Sequence, residues 1–591
     1  MDDLPNACDF LILGGGSAGC TLASRLSEDP KVSVVLLEAG KDITQTTAPA
    51  DVLSNYPGKA YFNPEFTWPG LTAMLGGAGA NQPGTRVRAR YEQARILGGG
   101  SSINGLNANR GSPDDYDGWE EAGAAGWNWR SVLPYFRKLE RDLDFDNEYH
   151  GQTGPVTIRR FPISDWSGFA QGVSRALQKR GYPLVQDQNG AWQDGIMPVA
   201  ASVDENGRRS SCAFAYLSAE VRSRKNLKVI TETTVERIVF EGRRAVGAQA
   251  SVNGRSVTVR AGEVIVSCGT IHSPAVLMRS GVGPAGELQG LGIPVVAASP
   301  GVGRNLLEHP VISVSCYLTR QARLKNLFRH HTQAHLRYSS GIDGCPPGDM
   351  SLAIIVRSGW HAMGQRVGSL YVWVNKSYSQ GSVVLRSPGA GEMPEVDFRM
   401  LSDWRDLTRL RNAFRFVSEL AFDEALDGLR TQVFPTNYSD RVRKVSSPGI
   451  QNQLQMGLFA WLLDTLPGMR GYLIEKVVTG GYRMSDLLAD DAVLDAYLNR
   501  SVVGVWHPVG TCRMGADGDP MAVTDSTGRV RGLEGLRVCD ASLMPTIPCA
   551  NTNIPTIMVA ERIADLIKAE RAGSASSPAQ KVAAANGELD G

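Results

Sequence analysis

The chain opens with an apolar run at Asp9–Leu13, a glycine turn at Gly14–Gly19, a helix-periodic stretch at Ala18–Leu26 and a second apolar run at Val32–Glu38. Short unbroken apolar runs predict buried strands, and the 3.6-residue period between them predicts a helix, so the first forty residues predict a strand–helix–strand unit. Residues 41–90 are rich in Pro, Gly and Asn, lose periodicity and predict a long irregular excursion, closed by a glycine knot at 98–100. Apolar and polar positions alternate over 221–268, which predicts strands, some of them antiparallel. From about 316 to 500, strand-like runs (Met350–Val356, Ser369–Val374, Gly381–Leu385) give way to helix-like ones (Trp404–Leu420, Ile450–Leu466). Glycine turns return from 501, and an amphipathic helix is expected at Ile557–Ala569. The stretch from Arg571 is poor in apolar residues and is expected to be a disordered tail.

A length of 591 residues points to two or more domains, or to one large α/β unit with insertions. The 61 basic and 60 acidic side chains leave a net charge of +1, which gives no long-range attraction to nucleic acid or an acidic membrane surface. The 65 glycines fall in clusters, the mark of backbone that turns tightly or approaches a ligand. The acidic start does not fit a secretory signal, and no apolar window approaches a membrane span of about 18 residues. Nine scattered cysteines form no C-x-x-C pair, so neither a zinc ribbon nor dithiol redox chemistry is expected. Buried thiols in a reducing, cytoplasmic compartment and no metal site are the expectation.

Gly14, Gly16 and Gly19, with Ser17 and Ala18 between, fit G-x-G-x-x-G at a strand-to-helix turn. The first glycine allows the turn, the second lets main-chain N–H groups reach a pyrophosphate, and the third permits close helix–strand packing. Glu38, nineteen residues after Gly19 and followed by Ala39, is placed to accept hydrogen bonds from an adenosine ribose. The spacing alone does not separate FAD from NAD. Residues 281–286 repeat the glycine pattern without a strand before it and read as a helix stop. With a single good fingerprint, the electrons are expected to come directly from an organic substrate.

Four features, the cradle among them, identify the chain as resembling the glucose–methanol–choline (GMC) flavoprotein oxidoreductases over about residues 8–570. They are the cradle ending in Leu36–Gly40; Ala94–Asn104 with Arg110-Gly111 and Tyr116-Asp117; Gly269–Pro274 leading into Ser280–Gly283; and Trp506–Thr511 with Ala550–Thr556. Within the family the chain looks most similar to bacterial oxidases and dehydrogenases of 5-hydroxymethylfurfural and aryl alcohols, on Asn109–Gly111, Trp127–Trp129, Leu133–Phe136, Ser358–His361 and Val505–His507. Glu308 stands where most relatives carry Asp, a swap expected to be harmless because a carboxylate is retained. The resemblance implies an α/β GMC fold. Its Rossmann-like FAD-binding domain would be built from 1–160, 221–315 and 501–570. An α+β substrate domain, with an antiparallel sheet flanked by helices, would come from 161–220 and 316–500, leaving 571–591 as the tail.

The same resemblance implies FAD, packed against the Arg95–Leu97–Gly100–Ser101–Asn104 segment. Some relatives link the flavin to a His just before the Asn; Ile103 stands there, so a non-covalent cofactor is expected. Val235 is read either as a main-chain contact to adenine or as a β-branched core residue, and Trp68 as a cofactor neighbour or a loop anchor. Asp540, Ala541 and Thr552 complete the cofactor set. Oxidation of an alcohol at carbon requires the hydroxyl proton to leave as the hydride moves to the flavin, a task for a neutral imidazole. Of the eight histidines, His330, His331 and His335 read as a basic surface run and His150 as part of a polar loop. His507 is implied as the base and Asn551, 44 residues later, as its partner on the substrate oxygen. Trp506, Trp360 and Trp373 are expected to line the substrate pocket, with Trp506 also near the cofactor. The implied activity is oxidation of primary furanic or aryl alcohols to aldehydes, and onward to acids through the aldehyde hydrate. O2 or a quinone would take the electrons, and a lyase without net redox chemistry is the rival on the same fold.

Overall fold

The computed structural model describes residues 5–575 except 55, 77–87, 328–329 and 437–438. The Ala7–Leu13 strand lies at the centre of a seven-stranded sheet, parallel to Val34–Leu37 on one side and to the end of Arg255–Val266 on the other. Leu227–Ile230 adds in parallel beyond Val34–Leu37, and Leu536–Val538 beyond Val264–Val266. The long Arg255–Val266 strand changes partner along its length: its first half pairs antiparallel with Arg244–Val252, which pairs antiparallel with Thr233–Glu241. Phe10–Leu13 and Val34–Leu37 are buried on both faces, which is why they read as continuous apolar runs.

The Ser17–Leu26 helix packs against Asn553–Ala575, and the two are tied by Arg25, whose guanidinium meets the fully buried Glu561 at 2.7 Å. The C-terminal helix continues to Ala575, so residues 571–575 are helical rather than part of an irregular tail; residues 576–591 lie outside the described residues.

A second seven-stranded sheet is antiparallel throughout. Its order is Arg430–Thr436, Pro310–Leu318, Val367–Val374, Met350–Ile355, Thr332–Tyr338 and Gly195–Pro198, with the short Val503–Gly504 strand beside Pro310–Leu318. The Trp404–Phe422 helix lies on Pro310–Leu318 and Val367–Val374. Both faces are covered, so Thr332–Tyr338 is buried at every position. His335 on that strand, and His330 and His331 just before it, are interior, not on the surface as the basic run suggested: a doubly covered strand carries no alternation that would show His335, and the His330 ring nitrogens lie 2.8 and 2.9 Å from the Thr332 and Gly105 carbonyl oxygens. His150 is also buried. Burial opposes its charge, but hydrogen bonds to Asp142, Asp187 and Glu140 outweigh it and hold the imidazole pKa up at about 10. The 41–90 excursion holds more order than its composition suggests, with strands Thr72–Gly76 and Arg88–Arg90 joined in a four-stranded sheet. At 281 the chain does stop a helix: Gly269–Arg279 ends and Gly281 adopts φ +84°.

Candidate active site

Two glycine loops meet at the carboxyl ends of the parallel strands. Gly14 turns at φ +101°, where an added Cβ would stand 2.5 Å from the Ser267 carbonyl oxygen. A Cβ on Gly19 would stand 1.9 Å from the Gly14 carbonyl, so only glycine lets the helix seat against the strand. The second loop docks on the first: the Gly98 N–H donates to the Gly15 carbonyl at 2.7 Å, and Gly99 faces the Gly16 Cα. Glu38 ends the second strand and accepts from the main-chain N–H groups of Gly15 (2.8 Å) and Gly40 (2.6 Å). Burial pushes its pKa up to about 6, against the pull of those N–H donors. Asp540 accepts from the N–H groups of Gly269 and Ser542, both at 2.8 Å, and from the Ser273 hydroxyl, which fixes the turn that carries Ala541.

From this cradle a cavity of about 370 Å³ runs to His507. Gly14, Gly16, Ser17, Ala18, Glu38, Ala39, Gly100, Asn104, Val235, Asp540, Ala541 and Thr552 face it, as do Trp68, Trp373, Trp506, His507 and Asn551. Gly19, Arg95, Leu97 and Ser101 do not, and act from behind the wall. Leu97 packs on Gly15, Arg95 lies 5.2 Å from the Trp68 ring, and the Ser101 hydroxyl donates to the Gly98 carbonyl at 2.6 Å. Trp360 is misplaced by the sequence reading. Its indole N–H donates to the Ser446 carbonyl at 2.7 Å, and its ring lines a separate surface hollow with Leu454 and Leu458. Tyr61, His272, Tyr371 and Glu92 line the main cavity although nothing local in the sequence marks them.

At the far end, Asn551 Nδ2 lies 3.0 Å from His507 Nε2, and His507 Nδ1 lies 3.0 Å from His309 Nδ1. The Asn551 main-chain N–H donates to Asn109 Oδ1 at 2.9 Å, which fixes the turn, while its side-chain Oδ1 is buried without a partner. Burial drives the His507 pKa well below the usual imidazole range, with the neighbouring His309 adding to the effect; burial takes His309 itself down to about 3. Both rings are therefore neutral. An amide nitrogen only donates, so Nε2 of His507 is an acceptor, and in the neutral ring the proton sits on Nδ1, which donates to His309. The Nε2 lone pair of this neutral imidazole thus faces the Asn551 amide, and both residues line the cavity.

Glu308 accepts from the main-chain N–H groups of His507 (3.0 and 2.9 Å) and His309 (2.8 Å) and from the Tyr91 hydroxyl. Burial raises its pKa to about 7 despite these donors. Glu308, His309 and His507 lie close enough to present atoms to one ion; the Glu308 oxygens accept main-chain N–H groups and the two Nδ1 atoms face each other, while His309 Nε2 is buried without a hydrogen-bond partner. Trp506 stands at φ +60°, and its indole N–H donates to Glu92 at 3.2 Å; Arg443 pairs with Glu92 from the other side.

Two family profiles, both described as GMC oxidoreductase, match residues 8–311 and 377–560. The chain belongs to the GMC oxidoreductases. It is 41% identical to the 5-(hydroxymethyl)furfural oxidase of Methylovorus sp. (strain MP688), over 95% of this chain and 98% of that one. The oxygen-dependent choline dehydrogenase of Vibrio vulnificus (strain YJ016) is 33% identical, over 95% and 94%. Among solved structures, pyridoxine 4-oxidase from Mesorbium loti superposes with a TM-score of 0.78 at 26% identity, covering 95% of this chain and 99% of that one. The GMC chain is an FAD-dependent oxidoreductase acting on alcohols. The residues present fit that cofactor: side-chain-free glycines at the cradle, a buried carboxylate at the second strand end, and the cavity continuing to an imidazole. Among the described residues, no helix is long and apolar enough to cross a membrane.

Proposed function

We propose that the GMC chain oxidises primary furanic or aryl alcohols to aldehydes, and carries the aldehyde hydrate on to the acid, with O2 as electron acceptor and H2O2 as product. The observation that carries this reading is the His507–Asn551 pair, 3.0 Å apart at the aromatic end of the cofactor cavity. Non-covalent FAD, held by the Gly14–Gly19 and Leu97–Asn104 loops with Glu38 on the ribose and Val235 and Ala541 as main-chain contacts, supplies the hydride acceptor when bound.

His507 Nε2 accepts the proton of the substrate hydroxyl. Asn551 meets the same oxygen: its Nδ2 donates to the charge that develops as the proton leaves, and its unpartnered Oδ1 accepts the hydroxyl beforehand. Tyr61, Tyr371, Trp373 and Trp506 give a planar ring apolar and edge contacts, worth about 0.5–1.5 kcal/mol each beyond burial. A gem-diol presents the same hydroxyl to the same base, which supports the second oxidation. Glu92, the carboxylate at this end, is already paired with Arg443 and the Trp506 indole, which favours an uncharged alcohol over a quaternary ammonium one. Support for O2 comes from the oxidase relative. Chromatography of the products of 5-hydroxymethylfurfural turnover, with peroxide recorded, tests the reading; arrest at the aldehyde removes the second oxidation, and a requirement for added quinone removes O2.

A further inference from the structure

Glu308 touches neither substrate nor cofactor in the chemistry above, yet it is the buried carboxylate that holds the turn carrying the base. It precedes the Pro310–Leu318 strand, against which Val503–Gly504 pairs antiparallel with Gly504 opposite Pro310. The groups that hydrogen-bond to it are donors, the Tyr91 hydroxyl and the N–H groups of His309 and His507, with ring nitrogens of both histidines within 4.8 Å. Room for its side chain comes from Gly504, where an added Cβ would fall 2.7 Å from both Cγ and Cδ of Glu308. Gly504 is not in the left-handed region, so space and not backbone angle is what that glycine supplies.

Between Gly504 and His507 stands Trp506 at φ +60°. A bulky residue there costs of the order of 1–3 kcal/mol, and such a conformation persists only where its surroundings over-determine it. Glu92 on the indole and Glu308 on the His507 N–H are restraints on either side of that strain, and both connect to one dipeptide, Tyr91-Glu92. Asp at 308 would keep the charge but fall short by one C–C bond, about 1.5 Å.

We propose that Glu308 is the positioning residue of this site: its carboxylate, seated in the space Gly504 leaves, holds the His507 main chain in its strained turn and so aims Nε2 into the cavity. The inference rests on His507 being the base. It also revises the expectation that either carboxylate serves at this position, because reach, not charge, is what matters here.

The test is a cycle of E308D, E308Q and H507A in the FAD-loaded enzyme, read by anaerobic flavin reduction with 5-hydroxymethylfurfural, with bound-flavin absorbance and Tm recorded for each variant. E308D is expected to slow reduction about 10²-fold, the penalty of roughly 1 Å of misplacement, with substrate Kd little changed. E308Q keeps the length and can present its carbonyl to both N–H groups, so it should retain most of the rate. In the H507A background E308D should cost nothing further, because it acts through the base. Equal E308D losses in both backgrounds overturn the proposal, as does an E308D rate within about twofold of the parent. If H507A itself reduces normally, the base reading fails instead, and the two failures are distinguishable. G504A, whose methyl drives the carboxylate aside, repeats the test should E308D not fold; an unimpaired G504A overturns the proposal.

Discussion

Truncating Asn551 to Ala separates two roles by the size of the loss. Its Nδ2 stands 3.0 Å from His507 Nε2 and its Oδ1 has no partner, while its main-chain N–H, held by Asn109 Oδ1, survives the change. If Asn551 only braced the imidazole, one neutral hydrogen bond would be lost, a net of about 0.5–1.5 kcal/mol and a rate loss of roughly two- to twelvefold. If it donates to an oxygen that gains charge as the proton leaves, the loss is that of an oxyanion-hole donor, about 10²–10³-fold in kcat. The larger loss is expected, because the Nδ2 that lies 3.0 Å from Nε2 is the donor next to the nitrogen that the substrate hydroxyl must reach. The assay is stopped-flow flavin reduction without oxygen across a range of alcohol concentrations, which separates the limiting rate from Kd. A limiting rate within about tenfold of the parent would refute the charge-stabilising role. Asn551→Asp should be worse still, since a carboxylate 3.0 Å from Nε2 favours the imidazolium and removes the base.

Because burial and His309 hold His507 well below the usual imidazole range, the proposed base is already neutral across neutral pH, and reduction should show no inflection near pH 6.5; one in the pH–rate profile would contradict this. The same buried rings set acid stability. His272, His309 and His335, all pushed by burial to about 3, contribute stability that is complete above the unfolded pKa near 6.5 and is lost as pH falls below it. Glu308 and Glu38, raised to about 7 and 6, oppose this by gaining stability on acidification, but the histidines outnumber them, so Tm should fall between pH 6.5 and 5; a flat or rising Tm refutes it. Gly19→Ala places a methyl 1.9 Å from the Gly14 carbonyl and should cost about 1–3 kcal/mol in stability, with loss of bound flavin after gel filtration; full retention contradicts the cradle. With Ile103 at the position a linking histidine would need, acid precipitation should leave all the flavin in the supernatant; a yellow pellet would show otherwise.

The parts of this molecule legible in its sequence are those in which chemistry follows from neighbours along the chain. The Gly14–Gly19 turn, Glu38 at the next strand end and the helix stop at Gly281 each carry their reason within a few residues. What was missed depends on strands far apart in sequence. Glu308 and His309 reach His507 only because Val503–Gly504 pairs with Pro310–Leu318. His335 read as surface because a strand covered on both faces shows no alternation, and Trp360 read as pocket because its neighbours on the strands are; its indole instead turns to the Ser446 carbonyl.

The most direct test of the central claim is anaerobic titration of the flavin-loaded protein with 5-hydroxymethylfurfural and with benzyl alcohol, followed by admission of air while peroxide is recorded. The predicted result is bleaching of the flavin by the alcohol and rapid reoxidation with stoichiometric peroxide. A flavin that neither alcohol bleaches would contradict the assignment of the His507–Asn551 cavity to these substrates.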